Sequence, residues 1–148
     1  MARSPGERLG TFELISDLGA GGMGEVCLAQ DLTLDRLVAL KFLPLEVTSD
    51  PDRVARFRQE ARAASALNHP NVCTIHALAE TADGQHYIAM EYVQGETLRQ
   101  HLSRRSLQLQ EVIATGIQLA SALTAAHASG VLHRDLKPEN VIPGPTDS

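Results

Sequence analysis

Apolar and polar positions alternate through the first part of the chain and then change period. Thr11-Phe12-Glu13-Leu14-Ile15-Ser16-Asp17-Leu18 and Glu25-Val26-Cys27-Leu28-Ala29-Gln30 flank a glycine cluster, and Arg36-Leu37-Val38-Ala39-Leu40-Lys41-Phe42-Leu43 follows a polar turn around Asp31 to Asp35. Strand side chains alternate between faces, so these runs predict a three-strand meander. Ser49-Asp50 then stand as caps before Pro51, and Val54, Phe57, Ala61, Ala64 and Leu67 recur at helical spacing until Asn68-His69-Pro70, which predicts one helix. Two further strands are predicted from Cys73 to Ala79 and from Gln85 to Val93, joined by a turn at Ala82-Asp83-Gly84. From Gln108 to Ser129 a longer helix carries Ile113, Ile117, Ala120, Leu123 and His127 on one stripe, with Gly130 as its stop signal. Five strands with one inserted helix, then helices, is an α+β order without the strand-helix alternation of a parallel sheet.

Composition narrows the class. With 148 residues, 43% of them hydrophobic, the chain can bury a core as one domain or part of one. A net charge of -5 gives no electrostatic reason to expect nucleic acid or an anionic membrane as partner. No run reaches the roughly 18 apolar residues of a membrane span, and Met1-Ala2-Arg3-Ser4-Pro5-Gly6-Glu7-Arg8 lacks the apolar segment of a secretion signal. The expectation is a soluble, cytoplasmic chain. Cys27 and Cys73 have no metal-ligand spacing and are expected to be reduced packing residues.

Three constellations carry chemistry. Leu18-Gly19-Ala20-Gly21-Gly22-Met23-Gly24-Glu25-Val26 is a G-x-G-x-x-G-x-V, and glycines let backbone N–H groups approach phosphate oxygens without a Cβ in the way. A Rossmann turn would open a helix here, and a Walker A loop would end in Gly-Lys-Ser/Thr. What remains is a strand-turn-strand lid over phosphates or a plain glycine-rich hairpin. Lys41 could reach phosphates under that lid, although a strand lysine is more commonly solvated. Glu60 lies beside Phe57 and Ala64 at helical spacing. A carboxylate turned toward the core needs a partner, so it is expected to pair with Lys41, the alternative being a surface pair with Arg53 or Arg56. Last comes His133-Arg134-Asp135-Leu136-Lys137-Pro138-Glu139-Asn140. Asp135 can accept a hydroxyl proton, Lys137 can balance phosphoryl charge and Asn140 can hold Mg²⁺. A polar turn is the alternative.

Together these motifs resemble the protein kinase family, in the bacterial form of its serine/threonine branch, over about Thr11 to Ile142. The resemblance implies a kinase small lobe over 11–93, a five-stranded antiparallel sheet plus one helix, after an N-terminal extension over 1–10. A partial helical large lobe would follow over 94–142, and a tail unlike the family over 143–148. It implies ATP as cofactor with Mg²⁺. Leu18, Gly19, Ala20, Gly21, Gly22, Met23, Gly24 and Val26 would form the lid, and Val26, Ala39 and Ile142 would pack the adenine. Lys41, paired with Glu60, would hold phosphate. Met90 would stand as gatekeeper, and backbone groups of Glu91 and Val93 would bind the adenine edge. Asp135 and Lys137 would serve the transfer itself, with Asn140 as metal ligand and a protein Ser/Thr as acceptor.

The 148 residues contain no Asp-Phe-Gly, the family's second Mg²⁺ site, and Pro143-Gly144-Pro145 breaks the strand expected after Ile142. The expectation is a chain cut in mid-domain, by truncation or a shifted frame, that transfers no phosphate alone and keeps weak nucleotide binding. The Gln108 to Ser129 helix is then expected to expose an apolar patch. A non-catalytic nucleotide-binding or protein-interaction remnant is the competing reading.

Overall fold

The computed structural model describes residues 3–21, 24–131 and 141–143. These form two units, Met1–Ala66 with Cys73–Tyr92, and Leu67–Val72 with Val93–Ser148.

The first unit is built on an antiparallel sheet of β1 (Arg8–Leu9), β2 (Phe12–Gly21), β3 (Gly24–Asp31), β4 (Arg36–Phe42), β5 (Ile75–Glu80) and β6 (His86–Glu91). Their order is β1-β2-β3-β4-β6-β5, so β6 lies inside and β5 forms an edge. The five anticipated strands are present, with two-residue β1 as a sixth. That pair lies in the segment set apart before Thr11, and it is too short to show a period.

Turn chemistry sets the register. Between β3 and β4 the buried carboxylate of Asp31 accepts from the N–H groups of Thr33 and Leu34 at 3.0 and 3.2 Å, an Asx turn. Asp35 there takes φ +50°, in the left-handed region that Asp tolerates. One face of the sheet then buries Leu14, Cys27, Ala29, Val38, Leu40, Phe42, Tyr87 and Ala89 as a continuous core. Cys27 and Ala29, like Val38, Leu40 and Phe42, are alternate residues, as the pleat requires. Two register shifts in β2, between Leu14 and Ser16 and between Asp17 and Gly19, mark bulges that increase the strand's twist.

Helix α1 (Leu45–Thr48) and helix α2 (Pro51–Ser65) connect β4 to β5, and α2 packs on β5. Asp50 caps α2, accepting from the N–H groups of Asp52 and Arg53 at 3.1 and 3.3 Å, with Pro51 at the first position. The anticipated stripe is real: Ala61 and Leu67 are buried, and Val54, Phe57 and Ala64 half-buried. Leu67 belongs to the second unit.

In the second unit, α3 (Leu98–Arg104) begins with a reciprocal capping box between Thr97 and Gln100. The side chain of His69 meets that of Ser121 on α4 (Leu109–Ala128) at 3.0 Å. Gly130, at φ +78°, follows the end of α4, and the Val131 N–H returns to the Ala126 carbonyl at 2.9 Å.

The anticipated stripe of α4 lies mostly on the outside, as the expected apolar patch requires: Ile113, Ile117, Ala120 and His127 are exposed and Leu123 half-buried, whereas Ala122 and Ala126 are buried and Thr115 and Leu119 half-buried. No charged residue occurs from Val112 to Ala126, so apolar spacing fits several faces and cannot select one. The consequence is an exposed apolar row, with Leu109 73%, Val112 49%, Ile113 53% and Ile117 65% exposed. Among the described residues no helix is long and apolar enough to cross a membrane.

Candidate functional site

The glycine cluster forms a strand-turn-strand. Gly19 pairs with Val26, Ala20 with Glu25 and Gly21 with Gly24 across the β2–β3 ladder, while Gly22 and Met23 lie outside the described residues. Gly24 is required twice over. Its φ is +107°, and a Cβ added there would stand 2.2 Å from the backbone carbonyl oxygen of Phe42.

Beside that hairpin, strand alternation assembles a second face, opposite the core. Val26 pairs with Lys41, and Lys41 with Ile88; one rung further, Leu28 pairs with Ala39 and Ala39 with Met90. Each is offset by one residue from the core positions Cys27, Leu40 and Ala89, so both rungs share the other face. The rungs place the half-buried Lys41 beside Val26 and set Ala39, the smallest of the apolar residues there, between Leu28 and Met90. Leu18, 42% exposed, lies on the approach to the hairpin.

Glu60 does not turn inward. It is exposed on α2, so the expected burial of its carboxylate against the core is not seen. At 100° per residue, Glu60 stands roughly 80° from the centre of the stripe through Val54, Phe57, Ala61 and Ala64. Neighbours at i−3 and i+4 therefore place it at the edge of the apolar face, where a carboxylate can stay exposed.

At the end of β6 the Glu91 N–H donates to the Thr74 carbonyl at 2.8 Å, and the Glu91 carbonyl accepts from the Cys73 thiol at 3.1 Å. The Thr74 N–H donates to the Glu91 carboxylate at 3.1 Å. The Glu91 amide is thus engaged within the sheet, and its carbonyl retains one lone pair. Val93 and Ile142 belong to the second unit, where the Leu98 N–H donates to the Val141 carbonyl at 2.6 Å and Ile142 packs near Gly95. Asp135, Lys137 and Asn140 lie outside the described residues.

Both cysteines are free, but Cys73 is exposed, not packed in the core. Its thiol is pushed up to about 11 by desolvation and then by the Glu91 carboxylate. Cys27 is buried, and desolvation, with Glu25 and Asp17 adding, lifts its thiol to about 12. Its sulfur lies 3.5 Å from Asp17 Oδ1 and 3.6 Å from Glu25 Oε1. Among the described residues this trio alone gathers metal-capable atoms, within 4.8 Å of one another. Cys27 points to the core side, away from Lys41. Asn140, the Mg²⁺ ligand that the resemblance implies, lies outside the described residues, and the face with Lys41 carries a cation beside the apolar Val26, Ala39 and Met90. Sequence reasoning missed the Thr74 and Cys73 contacts to Glu91, which join residues 17 and 18 positions apart and leave no periodic trace.

A glycine hairpin with a lysine rung beside it, and Ala39 on the same face of the sheet, is the arrangement of a kinase-type small lobe. A family model for the protein kinase domain matches residues 12–146, and the chain belongs to the protein kinase family. Serine/threonine-protein kinase pkn3 of Myxococcus xanthus is 49% identical over 129 residues, 86% of this chain and 24% of that protein. Serine/threonine-protein kinase PrkC of Bacillus subtilis (strain 168) is 40% identical over 139 residues, 93% of this chain and 21% of that one. Among solved structures, the PknI kinase domain of Mycobacterium tuberculosis matches with a TM-score of 0.85 at 36% identity, over 97% of this chain and 59% of that chain. The chain thus spans about a quarter or less of these curated relatives and under two thirds of the solved domain.

Proposed function

We propose that these residues form the ATP-binding part of a serine/threonine protein kinase, and that the 148-residue chain alone binds adenine nucleotide weakly and transfers no phosphate. The observation that carries this reading is the pair of rungs, Val26–Lys41–Ile88 and Leu28–Ala39–Met90, beside a hairpin whose Gly24 admits no Cβ. Backbone N–H groups from Gly19 to Gly24 would bind phosphate oxygens, with Leu18 and Val26 flanking them. Lys41 would place its ammonium on the same phosphates. Val26, Ala39 and Met90 would exclude water from the base, and the Glu91 carbonyl would use its remaining lone pair on the adenine edge. Mg²⁺-ATP supplies the transferable phosphoryl group when bound. Asp135 would accept the hydroxyl proton of a protein Ser/Thr, with Lys137 and Asn140 beside it.

Phosphoryl transfer rests on positioning and charge stabilisation, including an Asp-held Mg²⁺. The 148 residues contain no Asp-Phe-Gly to hold it. Purified chain titrated with ATP or ADP is expected to bind in the high micromolar to millimolar range, roughly 4 to 6 kcal/mol, and Lys41→Ala to weaken it. A folded sample that binds nothing at millimolar nucleotide defeats the binding half of the reading. Phosphate incorporation into a basic protein that vanishes with Asp135→Asn defeats the other half.

A further inference from the structure

Arg3 precedes the first strand, yet its side chain is only 12% exposed. The guanidinium lies 4.3 Å from the centre of the Phe42 ring and donates to Glu7 Oε1 at 3.2 Å and to Gln85 Oε1. Gln85 in turn donates to the Leu43 carbonyl at 3.0 Å, and the Arg3 backbone N–H approaches Glu25 Oε1 at 3.5 Å. Behind Arg3 the segment is pinned to β2, the Gly6 N–H donating to the Leu14 carbonyl at 2.7 Å and the Leu14 N–H to the Glu7 carbonyl at 2.9 Å. A strap from 3 to 7 therefore ties β2, the start of β3, the end of β4 and the turn before β6.

Its place in the ladder gives it meaning. Regular β3–β4 pairing ends at Val26 and Lys41, so Glu25 and Phe42 are the first residues beyond it. Gly24 there lies against the Phe42 carbonyl. Glu25 alternates with Val26 and shares the face of Cys27, so the strap acts from the side opposite Lys41. A glycine hairpin has few side chains to set its angle, and what holds its base decides where its amides point. A guanidinium that stacks on a ring and forks to two acceptors is suited to that task.

We propose that Arg3 is a positioning residue for the glycine hairpin, holding the start of β3 against Phe42 so that the hairpin amides converge on nucleotide phosphates. The phosphate part rests on the nucleotide reading above; the holding of the hairpin does not.

The test compares wild type, Arg3→Ala and Arg3→Lys as full chains, each first shown to be folded by circular dichroism. In Arg3→Ala the affinity for ATP falls about threefold to tenfold, while affinity for adenosine, which has no phosphates, is unchanged. Without ligand, hydrogen exchange speeds up at the amides from 24 to 27 and not at those from 87 to 89. Arg3→Lys, which keeps the charge and loses the planar fork, falls between. Unchanged exchange in Arg3→Ala overturns the proposal, as does faster exchange spread evenly over all strands, which would mark a role in stability alone. Equal loss of ATP and adenosine overturns it too. Should wild type bind neither ligand, the nucleotide reading fails and the exchange comparison alone decides whether Arg3 holds the hairpin.

Discussion

Two glycines with opposite surroundings show how much a single Cβ decides. At Gly24 it would meet a backbone oxygen at 2.2 Å, on a backbone at φ +107°, and no rotamer change relieves a contact with backbone. Gly24→Ala is expected to cost on the order of 2 kcal/mol or more. At Gly116, inside α4, a Cβ would meet nothing within 4 Å, and Gly116→Ala is expected to gain about 1 kcal/mol of helix propensity. Urea unfolding of the two variants checks both signs, and midpoints shifted in the same direction would refute this account. Lys41 and Gly24 were legible in the sequence because motif spacing and strand alternation fix where they stand. The orientation of Glu60 was not, because it borders the apolar stripe, and adjacency in sequence does not separate edge from centre.

Long periodic segments were the most legible elements. The hairpin strands and α2 follow from alternation, turn residues and the Asp50 cap, whereas β1, α1 and α3 are too short for a period to register. The buried face of α4 was hidden by the lack of charges along it. What fixes the start of α4 is polar: Glu111 accepts from Arg105 at 2.7 Å and from the Gln108 N–H at 2.8 Å. The Arg105 hydrogen bond first, and the Gln108 N–H next, lower the Glu111 carboxyl from 4.5 to about 2. A folded-state pKa below the unfolded one means that the unfolded chain takes the proton more readily. The stabilisation is therefore complete above pH 4.5 and declines as the pH falls toward 2. Helicity measured at 222 nm should decline across that window in wild type, and Glu111→Gln should remove this component. An identical acid profile in the variant would show that the cap contributes nothing.

At the scale of the molecule, the exposed row Leu109, Val112, Ile113 and Ile117 carries no charge to oppose its burial. Apolar surface of this kind is driven out of water by association. Sedimentation is expected to show concentration-dependent oligomers of wild type, and Ile113→Gln with Ile117→Gln is expected to shift them toward monomer while leaving the circular dichroism unchanged. A wild-type chain that stays monomeric at high concentration would contradict this. An exposed patch on this helix was expected from the sequence, and Leu109, Val112, Ile113 and Ile117 are the residues that form it.

The sheet order bears on synthesis as well as on the folded state. Strands β1 to β4 pair each with the next, so that ladder can close as soon as Phe42 has emerged from the ribosome. The fifth strand pairs with none of the strands made before it. Its partner, β6, is made after it and must itself dock on β4 across the whole of α1, α2 and β5. Until Glu91 is out, the nascent chain therefore carries Ile75 to Glu80 without a ladder, and such open strands are where chains stick to one another. A pause placed just before β6 would lengthen that interval, and one placed just after it would let the edge close first.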